Sequence, residues 1–151
     1  MIADVAVEKD VANDLPDFAK LEIVLAALQS QKFSIAEFYI DTLKESKDST
    51  IAAAAHNAEG IINFLDGNIP EAALSWRNAV EKNGKFLAAR LNLGFLALRY
   101  GDFDLANKLL EPYQDNNYVK AAMVSSIRMS AKSPLQASEL CQKAVSAQPK
   151  N

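Results

Sequence analysis

The sequence predicts an all-α protein, an α-solenoid of antiparallel helix pairs with about eight helices. A shift of 34 residues superimposes small and large residues in register without a gap: Gly60 on Gly94, Gly67 on Gly101, Ala72 on Ala106 and Trp76 on Leu110. A period of this length is typical of helix pairs that bury their apolar faces by stacking on the next pair. The composition agrees with this, since 50% of the residues are hydrophobic and only five are glycine and five proline.

The domain boundaries follow from this period. Residues 1–15 are predicted to be an N-terminal arm or linker, because they are acidic and carry few large apolar side chains. Residues 16–151 are predicted to form one domain, since the length of the chain is that of a single domain. Four repeats are expected, at about residues 16–47, 49–84, 86–117 and 118–149.

The first repeat diverges from the others. Pro16 suits the first turn of a helix that continues to about Ser30, where the helical spacing of apolar residues ends. Ser34 and Glu37 have the spacing of a capping box, which predicts a second helix that ends at about Glu45. The second-helix positions of this repeat hold three apolar residues, Ala36, Ile40 and Leu43.

The second repeat has clearer signals. Asp48 or Ser49 caps a first helix that continues to Leu65. The alanines at 52–55 favour a thin helix that neighbouring helices approach closely, because alanine is both small and the best helix former. A second helix is predicted at 70–82, after a glycine turn and before an Asn-Gly sequence.

The third repeat is expected to lie at the centre of the solenoid. Its first helix, at about 86–100, is apolar on nearly all sides, as expected of a helix with several neighbours. Asp102 caps its second helix, which Pro112 ends early. In the last repeat, Ser133 and Gln136 predict another capping box, followed by a helix with one polar face that suits a terminal cap.

Composition and charge exclude several classes of function. The formal net charge is −3 with both signs interspersed, so there is no basic stripe for nucleic acid. No apolar run reaches the roughly 18 residues of a membrane span, and the first residues do not resemble a signal peptide, so we expect no membrane insertion. The lone Cys141 excludes an internal disulfide and favours the cytoplasm, with the periplasm as the alternative if a signal or tether has been removed.

Catalytic chemistry finds few suitable residues in this chain. His56 is the only histidine, so it has no histidine partner for a metal, and Cys141 lies far from it in sequence. The glycines are accounted for by helix crossings and turns rather than by a phosphate-binding loop. We therefore expect no enzyme activity, no cofactor and no metal.

The repeated pattern resembles the tetratricopeptide repeat family, whose unit has a small residue in the first helix, a glycine turn, and alanines with a large residue in the second helix. The residues that carry the resemblance are Gly60, Gly67, Ala72, Trp76 and Ala79 in one copy and Gly94, Gly101, Ala106 and Leu110 in the next. The sequence departs from the family at His56 and Arg90, where a large aromatic is usual, and at Tyr113, where an alanine is usual. The resemblance implies a right-handed superhelix.

The resemblance also implies a peptide-binding groove lined by one face of each first helix. The residues predicted for that groove are Asn57, Ile61, Phe64, Leu91, Asn92, Phe95, Leu98, Arg99 and Met123. For Leu91 and Leu98 a place in the core is an equal alternative. Asn57, Asn92 and Arg99 favour the groove, because a polar group buried without a partner costs about 1–3 kcal/mol.

We therefore predict a protein–protein interaction module, an adaptor or assembly factor that binds a peptide or helix of a partner. Two alternatives remain open: a structural protein that self-assembles into homo-oligomers, and a secretion or assembly chaperone. One subset of the family grips carboxylates with basic residues, and Asn92 matches a residue of that subset. Because Leu21, Val119 and Met123 stand at its basic positions, we expect a more apolar partner instead.

Overall fold

A computed structural model describes residues 14–113, 115–117, 119 and 120. These residues form α1 (Asp17–Gln29), α2 (Phe33–Leu43), α3 (Ser49–Leu65), α4 (Ile69–Lys82), α5 (Leu87–Arg99), α6 (Phe103–Leu110) and a 3-10 helix (Glu111–Tyr113). No strand occurs among them, so the all-α prediction is confirmed for this part of the chain. No helix in the same ranges is long and apolar enough to cross a membrane. The predicted arm up to residue 13, Met123, Ser133 and Gln136 lie outside the described residues.

The chain divides into two compact units, of which the first ends at Ala89 and the second begins at Arg90. The first unit contains α1 to α4. One core cluster joins the first three helices, with Val24 and Ala27 from α1, residues of α2, and Ala55 and Ala58 from α3. The second unit contains most of α5 together with α6, and its core is built around Leu110.

The helices pair as antiparallel hairpins. In each pair a hydrogen bond joins the start of the first helix to the end of the second helix or to the residues just after it. In the first pair, Ser46 Oγ donates to Asp17 Oδ2 (2.5 Å). In the next two pairs, Asn83 Nδ2 donates to Thr50 Oγ1 and Arg90 Nε donates to the Leu109 carbonyl, both at 3.1 Å. Helices joined in this way by a short turn must run in opposite directions. Three such pairs are therefore present among the described residues, α1–α2, α3–α4 and α5–α6.

The turns between paired helices share one geometry. Each is a Schellman turn, in which a backbone N–H bonds to the carbonyl five residues earlier: Lys32 to Ala27 (2.8 Å), Asn68 to Asn63 (2.8 Å) and Asp102 to Ala97 (2.9 Å). The residue before each donor has a left-handed backbone, with φ of 58° at Gln31, 82° at Gly67 and 78° at Gly101. The left-handed residues of the first and second turns are 36 residues apart, whereas those of the second and third turns are 34 apart.

The predicted helix boundaries are mostly confirmed. Asp48, rather than Ser49, caps α3, because its carboxylate accepts hydrogen bonds from two backbone N–H groups of the first turn. Asp102 caps α6 in the same way. That helix ends at Leu110 and passes into the 3-10 helix that contains Pro112, as predicted. The alanines at 52–55 are all buried, as expected of a thin helix in close contact with its neighbours.

The capping box predicted at Ser34 and Glu37 is wrong. The helix begins two residues earlier than predicted, at Phe33, and Lys32 rather than Ser34 takes the N-cap position, without a side-chain hydrogen bond. The reason is the preceding Schellman turn, which orients the Lys32 carbonyl to accept hydrogen bonds from the N–H groups of Ile35 and Ala36. Ser34 is thus already inside the helix. The three second-helix residues predicted for this repeat, Ala36, Ile40 and Leu43, are all buried, as expected.

Candidate functional site

The predicted groove residues of the first unit differ in how far their side chains are exposed. Ile61 and Phe64 on α3 are half-buried and keep part of their surface exposed, and the Phe64 ring lies 5.8 Å from that of Trp76. Asn57 is only 8% exposed, so its expected place in an open groove is corrected. It lies one turn before Gly60, which packs against Trp76, and its backbone carbonyl accepts a 3.2 Å hydrogen bond from Trp76 Nε1.

The predicted groove residues of the second unit lie on α5. Leu98 is only 3% exposed and belongs to the core with Ala106 and Leu110. Leu91 and Phe95 pack against the same core and are half-buried. Asn92 is half-buried and Arg99 is exposed. Met123 lies outside the described residues.

The sequence analysis did not include α1 in the groove. The 36-residue shift between the first two turns places Phe18, Leu21, Leu25 and Leu28 of α1 at the positions of Ala54, Asn57, Ile61 and Phe64 of α3. Phe18 is 66% exposed and Leu25 is 45% exposed, whereas Leu21 and Leu28 pack against the core. Helical spacing in the sequence already places these four residues on one helix. Gln31 stands where the other two turns have glycine, so the sequence did not align them with the groove positions of α3.

These residues lie on the first and third helices of the first unit, which contact each other. We call this set of residues the first-helix face, and it consists of Phe18, Leu21, Leu25 and Leu28 from α1 with Ile61, Phe64 and Leu65 from α3. The two helices contact each other directly, and both contribute to the same core cluster. Leu65, one turn after Ile61, is 60% exposed. The face therefore presents three largely exposed apolar side chains beside others that are partly buried.

An acidic cleft of about 530 Å³ adjoins Phe18. Phe18 and Ile51 give it apolar walls, and the carboxylates of Asp17, Glu45 and Asp48 line it together with the ammonium group of Lys47. Asp48 is engaged as the N-cap of α3, and Asp17 accepts a hydrogen bond from a serine hydroxyl. Glu45 is exposed. At this end the apolar face thus borders a surface on which negative charge predominates.

A second cleft, of about 330 Å³, lies between α2 and α3 and is lined by Glu37, Ile40, Asp41, Glu59, Ile62 and Asn63. The carboxylate of Glu59 in this cleft already has hydrogen-bond partners within the chain. Glu59 accepts hydrogen bonds from Lys44 Nζ (2.8 Å) and from the Ser75 hydroxyl (3.0 Å), and Lys44 Nζ also lies 3.2 Å from Asp41. This network links α2, α3 and α4 through their side chains. We assign it a structural role, since buried polar groups are stable only when they are paired.

His56 lies at the edge of this network. Its Nδ1 is buried, has no hydrogen-bond partner among the described residues, and lies 3.7 Å from Glu59 Oε2, too far for a hydrogen bond. Burial lowers the pKa of the imidazole, and the ammonium groups of Lys44 and Lys82 act in the same direction, although Glu59 raises it. The neutral form of His56 is therefore favoured by its surroundings.

Arg90 stands at the corresponding position of the next pair, four residues before Gly94 as His56 is four before Gly60. Its guanidinium donates from Nε to the Leu109 carbonyl and from Nη2 to the Lys108 carbonyl, both at 3.1 Å. These carbonyls lie in the last turn of α6, where no later helical N–H reaches them. The matching carbonyls of α4 are inside a longer helix, which explains why His56 finds no such acceptor.

No group of three or more histidine, cysteine, aspartate or glutamate side chains in the described part of the chain is placed to hold a metal ion. Comparisons of the chain with known protein families, with characterised proteins and with solved structures found no match.

Proposed function

We propose that this protein is an interaction module that binds a peptide or a helix of a partner protein on the first-helix face and acts as an adaptor or assembly factor. The observation that carries the proposal is the exposure of Phe18, Leu25 and Leu65 on adjoining helices. Single exposed apolar residues are ordinary, but several of them on two contacting helices favour a site of association.

A partner that covers this face gains hydrophobic free energy. Full burial of a leucine or phenylalanine side chain contributes about 1.5–3 kcal/mol. Covering Phe18, Leu25 and Leu65 therefore supplies a substantial part of the free energy needed for association, against the cost of ordering the partner. A helix or an extended segment has the right shape, since the three residues lie along two adjoining helices.

The wider architecture proposed here is a right-handed α-solenoid of the tetratricopeptide type. It is supported by the Schellman turns and by the glycines that meet a large second-helix residue in two successive pairs. For the second unit by itself, we propose Leu91, Phe95 and Arg99 of α5 as contacts with a partner. The exposure of Arg99 favours a polar contact there.

The proposal is tested by comparing the proteins that three forms of the chain capture from cells that produce it. The wild type is compared with the Phe18→Ser/Leu25→Ser variant and with Leu74→Ser, a matched control because Leu74 is 56% exposed on α4, outside the face. We expect quantitative mass spectrometry to show a protein that the wild type and the control retain and the double variant loses.

Two results would contradict the proposal. One is an unchanged set of captured proteins after the double substitution, with helicity intact by circular dichroism. The other is a wild type that forms oligomers in sedimentation experiments and a double variant that is monomeric, with no other protein captured. The second result would assign the face to self-assembly.

A further inference from the structure

We propose that the segment bound by the first-helix face is a cationic amphipathic helix, with lysine or arginine side chains that reach the carboxylates around Phe18. This inference rests on the proposed function and adds the chemistry of the partner to it. It is argued from the charges that border the apolar surface rather than from the apolar surface alone.

The charges at the Phe18 end of the face are mostly negative. Four carboxylates lie on or beside this end: those of Asp17, Glu45 and Asp48 line the cleft, and that of Glu22 is one helical turn after Phe18. Two ammonium groups oppose them. Lys47 lines the cleft, and Lys20, which is nearly buried, lies 4.0 Å from Asp17 Oδ1. A basic partner side chain would meet unbalanced negative charge here, whereas an acidic one would be repelled.

The arrangement of apolar and acidic groups fits a helix in particular. Phe18 and Leu25 are seven residues apart on α1, which is two turns or about 10.5 Å, and the exposed Glu22 lies between them. A partner helix that presents apolar residues at i, i+3 or i+4 and i+7 covers this length. Basic residues at the border of its apolar stripe then lie within reach of Glu22 and Glu45. The apolar contacts supply affinity, and the charges select the sign of the partner.

The test uses three synthetic peptides of about 18 residues, long enough to form a helix on binding. The first is amphipathic, with leucine at the apolar positions and lysine elsewhere. The second has glutamate in place of every lysine. The third has the composition of the first in an order without an apolar stripe. Binding of each labelled peptide to the full chain is measured by fluorescence anisotropy at low and at high salt.

We expect the leucine–lysine peptide to bind the wild type at least tenfold more tightly than either other peptide, and less tightly at high salt. Glu22→Lys/Glu45→Lys should weaken its binding about tenfold, because two favourable charge contacts become repulsive. The matched control is Glu81→Lys/Glu111→Lys, which changes the net charge equally at exposed glutamates outside the face. It should change the binding less than twofold. Circular dichroism checks that each variant keeps its helices.

Three outcomes would overturn the inference. If the leucine–glutamate peptide binds as tightly, the face accepts apolar helices of either charge, and the proposed function stands without the inference. If the leucine–lysine peptide binds the Phe18→Ser/Leu25→Ser variant as well as the wild type, its attraction is to the overall negative charge and not to the face. If no peptide binds, the inference falls together with a helix-binding role for the face.

Discussion

Gly60 lies against the indole ring of Trp76, so closely that a Cβ atom on Gly60 would be 2.5 Å from Cδ1 of the ring. The next pair repeats this contact, because a Cβ on Gly94 would lie 2.6 Å from a methyl carbon of Leu110. These glycines are therefore required by packing and not by backbone conformation. The large second-helix residue fills the space that the glycine leaves.

This contact predicts that Gly60→Ala destabilises the protein. The overpacking cost of about 1–3 kcal/mol should exceed the gain of about 1 kcal/mol in helix propensity, for a net loss of up to about 2 kcal/mol. Urea unfolding followed by circular dichroism measures it. Gly84→Ala is the control, since a Cβ there meets only an ordinary contact at 3.7 Å, and its effect should be small. Equal stability of Gly60→Ala and the wild type would contradict the packing described here.

The left-handed residue of the first turn, Gln31, predicts a substitution that stabilises the protein. Gln31 has φ of 58°, where a residue with a side chain costs about 1–2 kcal/mol. Gln31→Gly removes this cost, but glycine loses more backbone entropy on folding. The net result should be a rise of about 0.5–1 kcal/mol in the free energy of unfolding. Gly67→Ala should lower it by a similar amount, because φ there is 82°. A loss of stability in Gln31→Gly would argue against the shared turn geometry.

The two hydrogen bonds of Arg90 predict a role in stability. Arg90→Ala removes the donors from two carbonyls at the end of α6 and should cost about 1–2 kcal/mol. Arg90→Lys should recover part of this, since an ammonium group still favours a helix C-terminus. Arg77→Ala, at an exposed position on α4, serves as the control. The account would be wrong if thermal melts of the Arg90→Ala and Arg77→Ala proteins coincided.

The surroundings of His56 predict a pH dependence. Burial lowers the pKa of its imidazole below the ordinary value near 6.5, so the unfolded chain binds a proton more readily than the folded one as the pH falls through that value. Stability should therefore decrease from pH 7 toward pH 5.5. His56→Gln removes the titrating group, and its unfolding free energy should change less over this interval. Identical slopes for the two proteins would exclude His56 as the cause.

The sequence predicted the helix pairs from α3 to α6 because their glycines and large residues repeat without a gap. The first pair was harder to place, since Gln31 stands at its turn and its spacing is 36 residues. As a result Phe18 and Leu25 were not assigned to the face. Helical spacing shows on which side of a helix a residue lies, but not how deeply it is buried there. For this reason the sequence placed Asn57 in the groove. The contacts of Arg90 depend on where α6 ends, which its own sequence position does not reveal.

The central claim is that the first-helix face contacts another protein. It is tested most directly by placing a photoreactive phenylalanine analogue at position 18 or, as the control, at position 74, and irradiating the protein in the cells that produce it. The account predicts a crosslink from position 18 to a basic helical segment of a distinct protein, absent from position 74. Crosslinks from position 18 only within the chain itself, or the same products from both positions, would contradict it.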